Sequence, residues 1–148
     1  MGIAKDIKQP EFKTSREKAL TNLLYTFHWY HNRENKIFKC KDLTAQQFNV
    51  LRILRGAYPD YLNMGKIKEV MLDKNPDVTR LSNRLEKKNM VEKKQNSENR
   101  REILIRINQK GLDTLKSIDP LISQLINEIG VSEEEAEKLS CLLDKMRE

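Results

Sequence analysis

The segment 77-DVTRLSNRLEKKNMVEKKQNSENRREILIRI-107 changes its apolar period partway along. Val78, Leu81 and Leu85 stand three and four residues apart, whereas Ile103, Ile105 and Ile107 alternate. The first spacing buries one stripe of a helix, and the second buries one face of a strand. The segment therefore predicts a helix from about Pro76 to Lys88, ended by Asn89 in a left-handed conformation that Asn tolerates second only to Gly. Two strands follow, 90–95 and 101–107. Between them lies the polar tip 96-NSENR-100, longer than a two-residue turn and so expected to project.

Working upstream, Asn63 is placed to cap a short helix over 64-MGKIKEVML-72, with Met64, Ile67, Val70 and Met71 facing inward. A break at 73-DKNPD-77 separates it from the first helix described. Thr44 and Gln47 in 44-TAQQ-47 read as a capping box. The helix they open carries Phe48, Leu51, Ile53 and Leu54 and should end near Gly56. Residues 12–38 are helical in pattern, with Leu20, Leu23, Leu24, Phe27 and Tyr30 on one stripe, and residues 1–11 look polar and frayed.

Downstream, Asn108 caps a long helix marked by Leu112, Leu115, Ile118, Ile122, Leu125 and Ile129. Pro120 should kink or restart it, with Asp119 as the local cap. Gly130 breaks it. Ser132 and Glu135 form a second capping box, opening a last helix with Ala136, Leu139, Leu142, Leu143 and Met146 on one side. The order helix, helix, helix-turn-helix, hairpin, helix, helix predicts a mainly α (α+β) fold. Its core is a winged helix-turn-helix over residues 44–107. The expected partition is 1–43 as an N-terminal helix, 44–107 as the winged region, and 108–148 as C-terminal helices.

The chain has 148 residues, 38% of them hydrophobic and 34% charged, so one domain with a modest core is expected. Net charge is +6, and it is unevenly spread. Residues 44–107 carry 14 Lys and Arg against 8 Asp and Glu, whereas residues 108–148 carry 5 against 9. Positive charge is thus concentrated on the winged segment, which favours an anionic partner. The two cysteines, Cys40 and Cys141, form no metal spacing and no disulfide framework, and a reduced cytoplasmic setting is expected. No apolar run is long enough to span a membrane. No Gly-rich phosphate loop and no nucleophile with a nearby base stand out. An enzyme, a cofactor and a metal site are therefore not expected.

With Val78, Leu81 and Leu85 turned inward, the opposite face of that helix shows Thr79, Arg80, Asn83, Arg84 and Lys87. Arginine can pair bidentately with guanine edges and asparagine with adenine, and both can hold phosphates. The second helix of a helix-turn-helix is the one that enters the major groove. Alone, such a face is equally a solvated surface. The hairpin adds Asn99, Arg100 and Arg101 at its tip, with Lys93 and Lys94 on its first strand. A projecting arginine suits a narrow minor groove; a charged tip also guards against edge pairing. Together, helix and tip favour binding to double-stranded DNA.

The segments 43-LTAQQFNVLRIL-54, 77-DVTRLSNRLEKKNMVEK-93 and 98-ENRREILIRINQKGLDTL-115 resemble the MarR family of bacterial winged-helix transcriptional regulators. The family wing pattern is Asp-x-Arg, an apolar strand, then Thr-x-x-Gly. Here Asn99-Arg100-Arg101 and Asn108-Gln109-Lys110-Gly111 stand in those places, and Asn89 stands where Gly is usual. The resemblance implies that Arg101 reaches the minor groove and that Asn99 lacks the charge of a wing-bracing ion pair. It also implies a homodimer on a pseudo-palindromic site with half-sites about 10 base pairs apart, usually repressing nearby genes and often released by a small aromatic ligand.

Tyr25, His28 and Trp29 on the first helix are candidates for such a ligand pocket. His28 and His31 could equally pack or sit at a subunit boundary. Relatives that sense oxidants carry a cysteine near the start of that helix, where neither Cys40 nor Cys141 falls. Two rival readings stay open: a winged helix that binds an acidic protein, and an architectural DNA binder indifferent to sequence.

Overall fold

The computed structural model describes residues 2–148. Among the described residues, seven helices and three strands follow one another as α1 (Ile3–Asp6), α2 (Ser15–Lys39), α3 (Ala45–Ala57), β1 (Leu62–Asn63), α4 (Met64–Val70), α5 (Val78–Lys87), β2 (Val91–Gln95), β3 (Ile103–Ile107), α6 (Gln109–Asn127) and α7 (Glu133–Lys145).

Local chemistry sets most of the helix ends. Thr44 and Gln47 cap α3 reciprocally, and Ser132 and Glu135 do the same for α7. Each pair satisfies two of the backbone N–H groups that a helix start leaves free. Asn63 accepts from the Lys66 amide at 2.8 Å, and Asn108 from the Gly111 amide at 3.0 Å. Asn89 closes the α5–β2 junction at φ 55°, in the left-handed region.

The core is shared by the two helices before the helix-turn-helix, the helix-turn-helix itself, the sheet and α6. Phe38, Leu51, Leu54, Ile67, Leu85, Ile105, Ile107, Leu115 and Ile118 are fully buried. Burying one such side chain contributes about 1.5–3 kcal/mol. Phe38 of α2 stacks on Phe48 of α3 with ring centroids 4.4 Å apart. Strand order is β1-β3-β2, antiparallel throughout, with Glu92 opposite Arg106 and Leu62 opposite Ile105.

Several sequence expectations need correction. Residues 3–6 form a helical turn whose Ile3 is buried, so the N-terminal segment is not wholly frayed. The strand β1 was not foreseen; two residues are too few to show a period. The start of α5 is set by Asp77, whose side chain accepts from the Arg80 amide at 2.9 Å, rather than by Pro76. Val70 points outward at 58% exposure because α4 ends there and the chain turns extended at Met71. Pro120 lies inside an uninterrupted α6, and Asp119 caps nothing. Its carboxylate instead receives Arg55, which gives it a partner without breaking the helix.

The ends of the chain keep their apolar stripes uncovered. Leu20, Leu23, Leu24, Phe27 and Trp29 of α2 are exposed, as are Leu139, Leu142 and Met146 in and just after α7, and α7 buries no residue at all. No described helix is long and apolar enough to cross a membrane.

Candidate nucleic-acid interface

Helix α5 is strongly two-sided. Val78, Leu81, Ser82 and Leu85 are buried, and Ser82 donates to the Thr79 carbonyl at 3.0 Å, so its hydroxyl is satisfied within the helix. Thr79, Arg80, Asn83, Arg84 and Lys87 all lie on the exposed side. Thr79 donates its hydroxyl to the Met64 sulfur at 3.3 Å and so ties the start of α5 to the start of α4. Arg84 and Lys87 border a cleft of about 500 Å³ together with Lys39, Thr44 and Lys88. Among the described residues, Arg80, Arg84 and Lys87 pair with no carboxylate.

The wing tip is built from short polar bridges. The Asn99 side chain accepts from the Arg101 amide at 3.2 Å, and its carbonyl accepts from the Glu102 amide at 2.9 Å. Gln95 donates to the Arg100 carbonyl at 2.6 Å. The Glu102 carboxylate accepts from Asn96 at 2.7 Å and from Asn63 at 2.8 Å. Glu102 therefore anchors the tip to β1, a brace that sequence reading missed. Asn99 carries no charge, and it shapes the turn through its side-chain oxygen and its carbonyl. Arg100 and Arg101 are exposed, with no ion pair among the described residues.

The two lysines of β2 do not belong to the free charge of the tip. Lys93 keeps a side chain only 12% exposed and turns toward α5, pairing with Glu86 at 3.1 Å and donating to the Asn83 side-chain oxygen. Lys94 stands 4.0 Å over the Tyr61 ring. Behind it, Tyr61 donates to Glu92 at 3.0 Å and Arg106 donates to the same carboxylate from Nε at 2.6 Å. The Arg106 hydrogen bond, then that of Tyr61, holds the Glu92 carboxyl below its ordinary range. This cross-strand cluster stiffens the base of the wing.

Tyr25, His28 and Trp29 lie on the exposed side of α2. Arg33 stands 5.1 Å from the Trp29 ring centre, and Phe27 stacks on His31 at 5.3 Å. His31 lies 3.6 Å from Glu34. No three His, Cys, Asp or Glu side chains converge as a metal site among the described residues. Cys40 and Cys141 are both exposed thiols.

Residues 43–103 match the MarR family model. The fold is similar to that of a MarR-like transcription regulator from Bacillus cereus, with a TM-score of 0.77 and 25% identity over 89% of this chain and 95% of that one. A MarR transcription factor from Planctomyces limnophilus matches at a TM-score of 0.71 and 29% identity, over 93% of this chain and 98% of that one. The S. aureus MepR–DNA complex has the same fold at a TM-score of 0.76 and 22% identity, over 92% and 97% of the two chains. No curated protein sequence matches the chain. The buried α5 stripe, the braced wing and these matches agree: residues 43–103, which match the MarR family model, form a winged-helix domain with the fold of these regulators.

Proposed function

We propose that the protein is a sequence-specific DNA-binding transcriptional regulator that acts as a homodimer on a pseudo-palindromic site, with repression as its default action. The observation that carries this reading is a set of exposed cations on α5 and the wing tip that pair with no carboxylate among the described residues. Arg80, Arg84 and Lys87 lie on α5, and Arg100 and Arg101 on the tip beyond β2, the strand that Lys93 links to α5. Unpaired guanidinium and ammonium groups on a groove-sized helix and a projecting hairpin fit phosphates and base edges. MepR of S. aureus, which shares the fold, is seen bound to DNA.

Residues 44–107 serve as the DNA-binding region in this account. Residues 1–43 and 108–148 serve as the dimerisation regions, because Leu20, Leu23, Leu24 and Phe27 of α2 and Leu139 and Leu142 of α7 stay exposed within one chain. Tyr25, His28 and Trp29 would line a pocket only once a second chain closes over α2. Release by a small aromatic ligand is carried by the family resemblance. The setting is cytoplasmic, where the DNA is.

Titration of labelled duplexes at several salt concentrations, with the molar mass measured by light scattering, tests the proposal. It expects a dimer whose affinity depends on sequence and falls steeply with salt. Equal affinity for all duplexes would favour the architectural reading, and no binding would favour a protein partner.

A further inference from the structure

Lys93 restricts what Asn83 can read. Its ammonium group has three donors and no acceptor, so the Asn83 side chain must turn its amide oxygen toward it. Glu86, one turn further along α5, pairs with the same ammonium at 3.1 Å. With its side chain only 12% exposed, the Lys93 ammonium takes its contacts from these two partners on α5. The pair of contacts ties β2 to the outer face of α5. It leaves the Asn83 amide nitrogen, a donor group, as the part turned away from the strand.

An asparagine that pairs bidentately with adenine must accept from N6 while donating to N7. Asn83 has its oxygen turned toward Lys93 on β2, and the group it presents on the other side is its amide donor. Guanine answers donors with two acceptors, N7 and O6, and thymine with O4 alone, whereas adenine sets its N6 donor beside N7. The geometry points to Lys93 as a positioning residue that sets base choice: by holding the Asn83 oxygen, it makes Asn83 select guanine over adenine in each half-site. This rests on the sequence-specific reading above and names one of its specificity determinants.

Selection from randomised duplexes with the full-length chain, followed by sequencing, tests it. The position read by Asn83 is the base pair whose preference disappears in Asn83→Ala. The wild type is expected to favour guanine over adenine there by about tenfold. Lys93→Met should bring that ratio to about one while leaving the other positions unchanged, and Lys93→Arg should restore it.

Adenine preferred by the wild type at that position, or no preference removed by Asn83→Ala, overturns the inference even if Lys93→Met fails to fold. A uniform loss of affinity in Lys93→Met, with the salt slope reduced by about one, would make Lys93 a phosphate contact instead. A wild type that enriches no motif at all fails the sequence-specific reading first, visibly and before any variant, and this inference falls with it.

Discussion

Arg55 Nη1 donates to both carboxylate oxygens of Asp119, at 3.0 and 2.8 Å, and so joins α3 of the winged domain to α6 of the C-terminal helices. Both side chains are about a third to a half exposed, so solvent screens much of the attraction. Arg55→Met is expected to lower stability by less than about 1 kcal/mol in denaturant titration. A much larger loss would mean that the pair does more than join two exposed faces.

Arg101 is expected to lose DNA affinity when truncated without loss of fold. Arg101→Ala keeps the backbone N–H that Asn99 accepts, so the turn survives. Affinity should fall by about 1–3 kcal/mol, while the melting temperature stays within error. Unchanged affinity would remove the wing tip from the interface.

Gly111 is required by space. A β-carbon there would meet the Met90 carbonyl oxygen at 2.4 Å and the Ile107 Cγ1 at 2.6 Å, where α6 leaves the sheet. The backbone atom cannot yield without moving the β2 start. Gly111→Ala should cost about 1–3 kcal/mol by thermal or chemical unfolding. A neutral substitution would show that the junction is looser than drawn.

The C-terminal helix should hold two chains together. Leu139 and Leu142 are 51% and 61% exposed on a helix with no buried residue. Leu139→Glu with Leu142→Glu would place two carboxylates in a covered apolar seam. Sedimentation should report a monomer for the double variant and a dimer for the parent. A parent that sediments as a monomer at micromolar concentration contradicts the dimer.

Acid should weaken the wing base. The Glu92 carboxyl is held below its ordinary value of 4.5, mainly by Arg106 and then by Tyr61. A carboxyl depressed in the folded state contributes stability above that ordinary value, and the contribution is lost as pH falls through the folded one. Stability of the wild type should therefore decline more steeply below about pH 4.5 than that of Glu92→Gln. Parallel curves for the two would show that Glu92 is not held this way.

What the sequence made legible was local. Thr44 with Gln47, Ser132 with Glu135, Asn63, Asn89 and Asn108 each act within three or four residues, and all end or begin elements where their chemistry demands. The α5 stripe and the alternation of Ile103, Ile105 and Ile107 placed the helix and the second strand of the hairpin. The winged fold follows from their order. What stayed hidden depends on distant partners. Glu102 reaches Asn63 across 39 residues, and Arg55 reaches Asp119 across 64. Lys93 looked like one more wing charge because nothing local shows that it folds back on Asn83 and Glu86. Asp119 looked like a cap because Asp favours the N-cap and Pro the first helical position.

The central claim is that the unpaired cations of α5 and the wing read duplex DNA as a symmetric pair. Selection of genomic fragments by the purified protein at physiological salt, followed by sequencing, tests it most directly. The account predicts an enriched motif with two-fold symmetry and half-site centres about 10 base pairs apart. Fragments retained without any shared motif, or none retained at all, would contradict it.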